Sequence, residues 1–316
     1  SLAFYKRIVS FYMYTVVSAA RETTFLYLYD ERMAQKGADE VLSILYKHLK
    51  EELFENCEAI DIWADGTAGQ VWNNCFLLGL NELLDPNSPM KIDGLKRIDV
   101  WRSPVGHTYM EADTQAGRAA KRARELIQTK DYGAVHVPYS DPAAPDWVNS
   151  WEEIINSLNG LQAKRMEFSD FRAWTTFLKT ELDVYQVPKY SSCETRSSWK
   201  ISSTMHWNFG VGEDRSGVCV SHLGRVLTKD SIHQSAPDVV RLWKSGIESS
   251  SALLRGQQLR TPRRSSPDDL VPFAYEKAKD LFELGVAISK TDGGLDFIYP
   301  DPGPEVAYRK KMKGAR

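Results

Sequence analysis

Two short acidic stretches have the residue types and the setting to hold a metal ion. The first is Ala59–Gly69, A-I-D-I-W-A-D-G-T-A-G, a mostly apolar run that stops at Asp65 and a Gly-rich turn. Ile60 and Ile62 alternate and Trp63 adds an aromatic ring, so the run predicts a buried strand with Asp65 at its C-terminal end. A carboxylate in that place faces the crevice where open α/β sheets bind ligands. The second stretch is Gly106-His107-Thr108-Tyr109-Met110-Glu111-Ala112-Asp113, which follows another strand and opens another helix. Carboxylates suit a hard divalent cation such as Mg²⁺ or Mn²⁺, and a pair of such ions clamps the attacking and leaving oxygens of a phosphodiester. Each residue also has an ordinary structural role open to it: Asp65 as a turn or cap residue, Asp113 as a helix cap.

The elements that must position these carboxylates are legible in order. Phe4–Val17 and Thr23–Tyr29 are rich in aromatic and β-branched residues and predict an antiparallel strand pair. Apolar residues at three- and four-residue spacing predict a helix over Asp39–Phe54. The Asp65 strand comes next, then a helix over roughly Gln70–Leu84 stopped by Asp85-Pro86-Asn87, a strand over Leu95–Arg102, and an Ala-rich helix over Thr114–Gln128. Strand, strand, helix, strand, helix, strand, helix is a ribonuclease-H-like α/β arrangement, a mixed sheet flanked by helices, lacking its first strand. Residues 1–130 are therefore expected to form an incomplete catalytic core.

Residues 131–248 read as an α+β extension: a strand at Ala134–Tyr139, helices at Asp146–Leu158 and Ser169–Leu182, and strands at Trp199–Phe209 and Val218–Val226. A Ser/Arg-rich linker at 249–268 follows, then a helix over Asp269–Leu284, the turn-rich Gly293–Pro304 and a basic tail within 269–316.

Composition bounds the function classes. With 316 residues and 42% hydrophobic content the chain can bury a large core. A net charge of −2 excludes a global positive field, so any nucleic-acid surface must be local. The four cysteines, Cys57, Cys75, Cys193 and Cys219, show no CxxC spacing; Cys57 and Cys75 are expected to pack as small hydrophobes in a reducing compartment. No run has the length of a membrane span and no signal peptide is visible, so no membrane partner is expected. The chain starts at Ser1 and Leu2–Tyr14 already reads as domain interior, which predicts a piece of a longer protein.

At the two acidic stretches the chain resembles a transposon-derived eukaryotic family of DDE transposase-like proteins. Members carry a pattern close to Asp-Gly-x-x-Gly-Gln-Asn-x-Asn and then Gly-His-Thr-x-Met-Glu-x-Asp. Here the first reads Asp65-Gly66-Thr67-Ala68-Gly69-Gln70-Val71-Trp72-Asn73-Asn74 and the second is Gly106 to Asp113. Tyr29-Asp30-Glu31, Ala34, Gly37, Glu40-Val41 and Phe4-Tyr5-Lys6-Arg7 are also similar to the family's segments. The likeness runs to about residue 130, with a faint return around Pro272–Ile288. Val71 and Trp72 depart from the family's Asn and basic residue, and Ala119 and Ala120 stand where members often carry Glu. The family's first catalytic Asp lies on a strand upstream of Phe4.

The resemblance implies a nuclear DNA transposase core that cleaves and joins strands with Mg²⁺ or Mn²⁺, with room for a homo-oligomer. Asp65 and Asp113 are then the metal-binding catalytic carboxylates, Asp113 favoured over Glu111. Gln70 and Asn73 bind substrate or cap the second helix, and His107 positions a phosphate or fills a turn. Arg118, Lys121, Arg122 and Arg124 track a phosphate backbone or form a solvated helix face. Asp30 ends what the topology predicts to be an edge strand and is expected to be a turn or cap residue. The aromatic middle (Trp147, Trp151, Trp174, Trp199, Trp207) is expected to be core, and His206 and His222 structural. Two functions follow from different classes: the metal-dependent enzyme, inactive as an incomplete core, and a domesticated or decayed remnant that binds DNA without catalysis.

Overall fold

The computed structural model describes residues 10–86, 88–103, 110–128, 146–180, 206–210, 273–291 and 301–314. The chain divides into two compact units. One comprises Ser1–Gln35, Tyr109–Phe168 and Ser265–Arg316; the other comprises Lys36–Thr108 and Ser169–Arg264.

In the first unit β1 (Phe11–Ser18) and β2 (Thr23–Asp30) form an antiparallel hairpin, with Phe11 opposite Asp30 and Ser18 opposite Thr23. β5 (Leu161–Arg165) runs parallel to β2 on its other side, so the sheet order is β1-β2-β5. Phe25, Leu26, Tyr27, Leu28 and Tyr29 are all buried, as the unbroken apolar run of a central strand requires. Leu26 and Leu28 pack against Ala119 of α3 (Glu111–Gln128) and Ile155 of α4 (Asp146–Asn156), with Phe11, Met13 and Trp151 around them. The unit also holds α6 (Tyr275–Thr291) and α7 (Glu305–Gly314); Lys277 of α6 is ion-paired to Glu31, and the Tyr308 hydroxyl of α7 donates to the Phe273 carbonyl at 2.9 Å.

The second unit contains α1 (Ala38–Glu52), β3 (Ala59–Ala64), α2 (Asn74–Leu84), β4 (Arg97–Arg102), α5 (Trp174–Thr180) and β6 (His206–Gly210). β3 pairs with β4 in parallel and β6 pairs with β4 antiparallel, giving the order β3-β4-β6. α1 opens with the Glu40 carboxylate accepting from the Gly37 N–H at 2.9 Å and buries Val41, Leu42, Ile44 and Leu49. α2 is buried almost throughout, from Phe76 to Leu84. Gly79 allows its approach to α1, since a Cβ there would stand 2.4 Å from Leu42 Cδ1.

The mixed α/β class agrees with the sequence, as does the placing of β3 beside β4. Other features differ. The sequence predicts one mixed sheet over 1–130, whereas the described strands form two three-stranded sheets. Residues assigned to a separate extension supply the third strand of each, β5 and β6. β2 is central rather than an edge. β3, predicted buried, is an edge strand of its sheet whose Ala59, Asp61 and Trp63 are exposed. The basic tail forms α7, with Glu305 and Arg309 paired across one turn. The predicted strands at 134–139 and 218–226, the segment 249–268, Phe4-Tyr5-Lys6-Arg7, Trp199, His222, Cys193 and Cys219 lie outside the described residues. Among the described residues no helix is long and apolar enough to cross a membrane.

Candidate functional site

Asp65 follows β3 directly, and its position comes from a tight turn. Its Oδ1 accepts the Thr67 N–H at 3.1 Å, and the Thr67 carbonyl then accepts N–H bonds from Gln70, Val71 and Trp72. That turn delays the second helix to Asn74, four residues later than predicted. Asn73 is its N-cap: Oδ1 accepts from the Phe76 N–H at 2.9 Å, and Nδ2 donates to the Ala68 carbonyl at 2.9 Å. Of the two roles open to Asn73, the capping role is the one its side chain fills. Gln70 is half-buried in the same turn. Gly66 leaves room for Arg102, whose guanidinium lies 5.8 Å from the Trp72 ring and would meet a Cβ at Gly66 within 2.5 Å. Val71 and Trp72, which depart from the family motif, are buried, and Trp72 stacks on Trp207 at 3.9 Å. At these positions the chain has core residues in place of polar ones.

The second acidic group sits on α3 in the other unit. The helix starts at Glu111 rather than Thr114, which places Glu111 and Asp113 in its first turn, where the helix dipole favours negative charge. Asp113 Oδ2 accepts the Met110 N–H at 2.8 Å, and Glu111 accepts from Gln115. Arg118, Lys121, Arg122 and Arg124 are exposed. Arg118 donates to Gln115 and to the Asn159 carbonyl, Arg122 pairs with Glu125 at 3.5 Å, and Arg124 Nε donates to the Ala120 carbonyl. Ala119, where the family often has Glu, is fully buried against Leu26, Leu28 and Ile155. His107 lies outside the described residues.

Asp65, Gln70 and Asn73 thus share one loop, while Glu111, Asp113, Arg118, Lys121 and Arg122 share one helix. The three carboxylates supply the oxygen donors that a hard divalent cation takes, and none of them is ion-paired among the described residues. Among the described residues no group of three or more His, Cys, Asp or Glu side chains is placed to hold a metal ion. No step through a metal ion is therefore assigned.

Asp30 is accounted for structurally. It is buried at the end of β2 with Arg32, whose Nε lies 3.0 Å from both carboxylate oxygens and whose backbone N–H donates to Oδ1 at 2.8 Å. Trp174 and Trp207 are core, as predicted. Cys75 is not packed as a hydrophobe: Thr175 Oγ1 lies 3.4 Å from its sulfur and Asp39 Oδ1 3.8 Å away, and burial pushes its thiol up to about 12.

Sequence reasoning missed the pairing of His206 Nε2 with Asp99 Oδ1 at 2.8 Å, although His206 is structural as expected. It also missed the exposure of Trp63, which is 63% accessible. Asp61, two residues earlier on the same strand face, was the available signal that this face is solvated. No protein-family model matches the chain, and no curated protein or solved structure matches it at a significant level.

Proposed function

We propose that the chain forms a ribonuclease-H-like core of a DDE transposase-like protein that cleaves and joins DNA with Mg²⁺ or Mn²⁺. In this reading Asp65 and Asp113 are the metal-binding carboxylates and Glu111 assists beside Asp113. The observation that carries it is the parallel β3–β4 pair with Asp65 placed directly after β3, followed along the chain by a helix whose first turn holds Glu111 and Asp113. Parallel strands leave their C-terminal ends together, which is where α/β sheets gather ligand-binding groups. The exposed basic side chains of α3 provide contacts for phosphates near Asp113.

The test is cleavage of supercoiled plasmid by the full-length protein with Mg²⁺ or Mn²⁺. Asp65→Asn and Asp113→Asn are each expected to abolish nicking while the thermal unfolding midpoint stays close to wild type. Retained nicking in either variant removes that residue from the chemistry.

A second reading, a remnant that binds DNA without catalysis, is favoured by Val71, Trp72 and Ala119. These positions serve the core where the family motif has polar or acidic residues. Wild-type protein that shifts DNA in a gel but never nicks it selects this reading.

A further inference from the structure

One face of the β3-β4-β6 sheet is aromatic and acidic and opens to solvent at the β3 side. The register sets Asp61 beside Asp99 and Asn208, and Trp63 beside Trp101 and His206. The rings form a row across three strands: Trp63 stacks on Trp101 with centroids 5.5 Å apart and planes 14° apart, and Trp101 stacks on His206 at 3.6 Å and 8°. The inner end of the row is anchored. His206 Nε2 meets Asp99 Oδ1 at 2.8 Å, and Arg97 Nε holds the other Asp99 oxygen at 2.9 Å. At the outer end β3 is the edge strand among the described residues, and Trp63 keeps 63% of its surface in water. Asp61 is exposed too; Trp101 Nε1 lies 3.4 Å from its Oδ1, and no cation pairs with it among the described residues.

A large exposed indole on a fixed stack, beside a carboxylate that no cation pairs with among the described residues, has a definite preference for charge. The ring face carries the negative side of its quadrupole and the carboxylate a full negative charge, so both attract a cation and both disfavour a phosphate. Residues i and i+2 of a strand stand about 6.6 Å apart on one face. A guanidinium lying flat on the indole spans that interval and presents paired N–H groups to the carboxylate, whereas an ammonium satisfies one partner or the other. We propose that Trp63 and Asp61 form a recognition site for an arginine side chain of a partner polypeptide, stacked on the open indole face and hydrogen-bonded to the carboxylate. The pre-stacked ring lowers the ordering cost of binding, because Trp63 already stacks on Trp101, which is itself held against His206. The site makes no use of the Asp65 and Asp113 chemistry.

The probe is a fluorescein-labelled peptide of three arginines separated by glycines, followed by anisotropy at low ionic strength. Its lysine counterpart and an oligothymidylate are run in parallel. The arginine peptide is expected to bind more tightly than the lysine peptide. Trp63→Ala should weaken it about two- to fivefold, and Asp61→Asn by a similar two- to fivefold. Both side chains are exposed, so the unfolding midpoint of each variant should match wild type. In the ¹⁵N-labelled protein the Trp63 indole resonance should shift on peptide addition. Unchanged binding in Trp63→Ala, equal binding of the lysine peptide, or Trp63-dependent binding of the oligothymidylate in place of the peptide would each overturn the proposal.

Discussion

Replacing Ser43 by alanine removes one oxygen atom and is expected to destabilise the α1–α5 packing far more than its size suggests. Ser43 is fully buried in α1. Its hydroxyl donates to the Asp39 carbonyl at 2.6 Å and accepts from the Arg172 backbone N–H at 3.0 Å and from Trp174 Nε1 at 3.2 Å. One donor and two acceptor positions are all a hydroxyl has, so the group is saturated. In Ser43→Ala the indole N–H of Trp174, itself fully buried, loses its acceptor, and the Arg172 N–H loses one in a half-buried setting. Each stranded donor costs about 1–3 kcal/mol, and the shallower Arg172 site belongs at the low end. Alanine's better helix propensity offsets roughly 0.5 kcal/mol. The net expectation is a loss of about 2–3 kcal/mol. Urea unfolding followed by circular dichroism measures it, with the slope unchanged so that the midpoint shift reports stability. Ser43→Ala combined with Trp174→Phe should cost less than the sum of the singles by about 1 kcal/mol, since phenylalanine has no N–H to strand. A single-variant loss under roughly 0.5 kcal/mol, with additivity in the double, would refute the saturated-hydroxyl argument.

Two further perturbations test the structural assignments. Arg32→Ala leaves the Asp30 carboxylate buried without its main partner and should cost about 3 kcal/mol or more in urea unfolding; a loss near zero would show that Asp30 is solvated and free for another role. For Cys75, burial raises the thiol from 9.0 to about 12, so the folded chain holds the proton at pH values where the unfolded chain releases it. Stability contributed by the neutral thiol is therefore complete below about pH 9 and is lost as pH rises from there towards 12. Folded protein at pH 8.5 should resist alkylation at Cys75 by iodoacetamide, and Cys75→Ser should flatten the stability loss above pH 9; rapid alkylation of the folded chain would contradict the burial.

How far the sequence revealed this structure depended on whether a residue's partner was near it in the chain. α1 and the end of β3 were legible because their signals are local: apolar residues three and four apart, Glu40 three residues after Gly37, and Asp65-Gly66 after an alternating run. A ribonuclease-H-like order makes β2 an edge, although T-T-F-L-Y-L-Y has no polar alternation and so describes a strand covered on both faces. β5, L-Q-A-K-R, has no strand signal of its own and exists because β2 offers it a parallel partner. α2 began late because the Thr67 carbonyl gathers three N–H groups into a turn, a feature that residue types alone do not disclose. For the candidate site, the residue types and their places after β3 and at the start of α3 were legible. The bonds that Asp65, Asn73 and Asp113 make to nearby backbone became visible only in three dimensions. Asp99 and His206, 107 residues apart, were beyond any spacing argument.

The central claim, that Asp65 and Asp113 are both metal-binding carboxylates, is tested most directly by Mn²⁺ titration of the full-length protein followed by electron paramagnetic resonance. Wild type should bind Mn²⁺ with Mg²⁺ competing for the same ion, because both are hard cations taking oxygen ligands. Asp65→Asn and Asp113→Asn should each lose that binding, and Asp61→Asn, on the outer sheet face, should keep it. Mn²⁺ bound equally well by wild type, Asp65→Asn and Asp113→Asn would contradict the account.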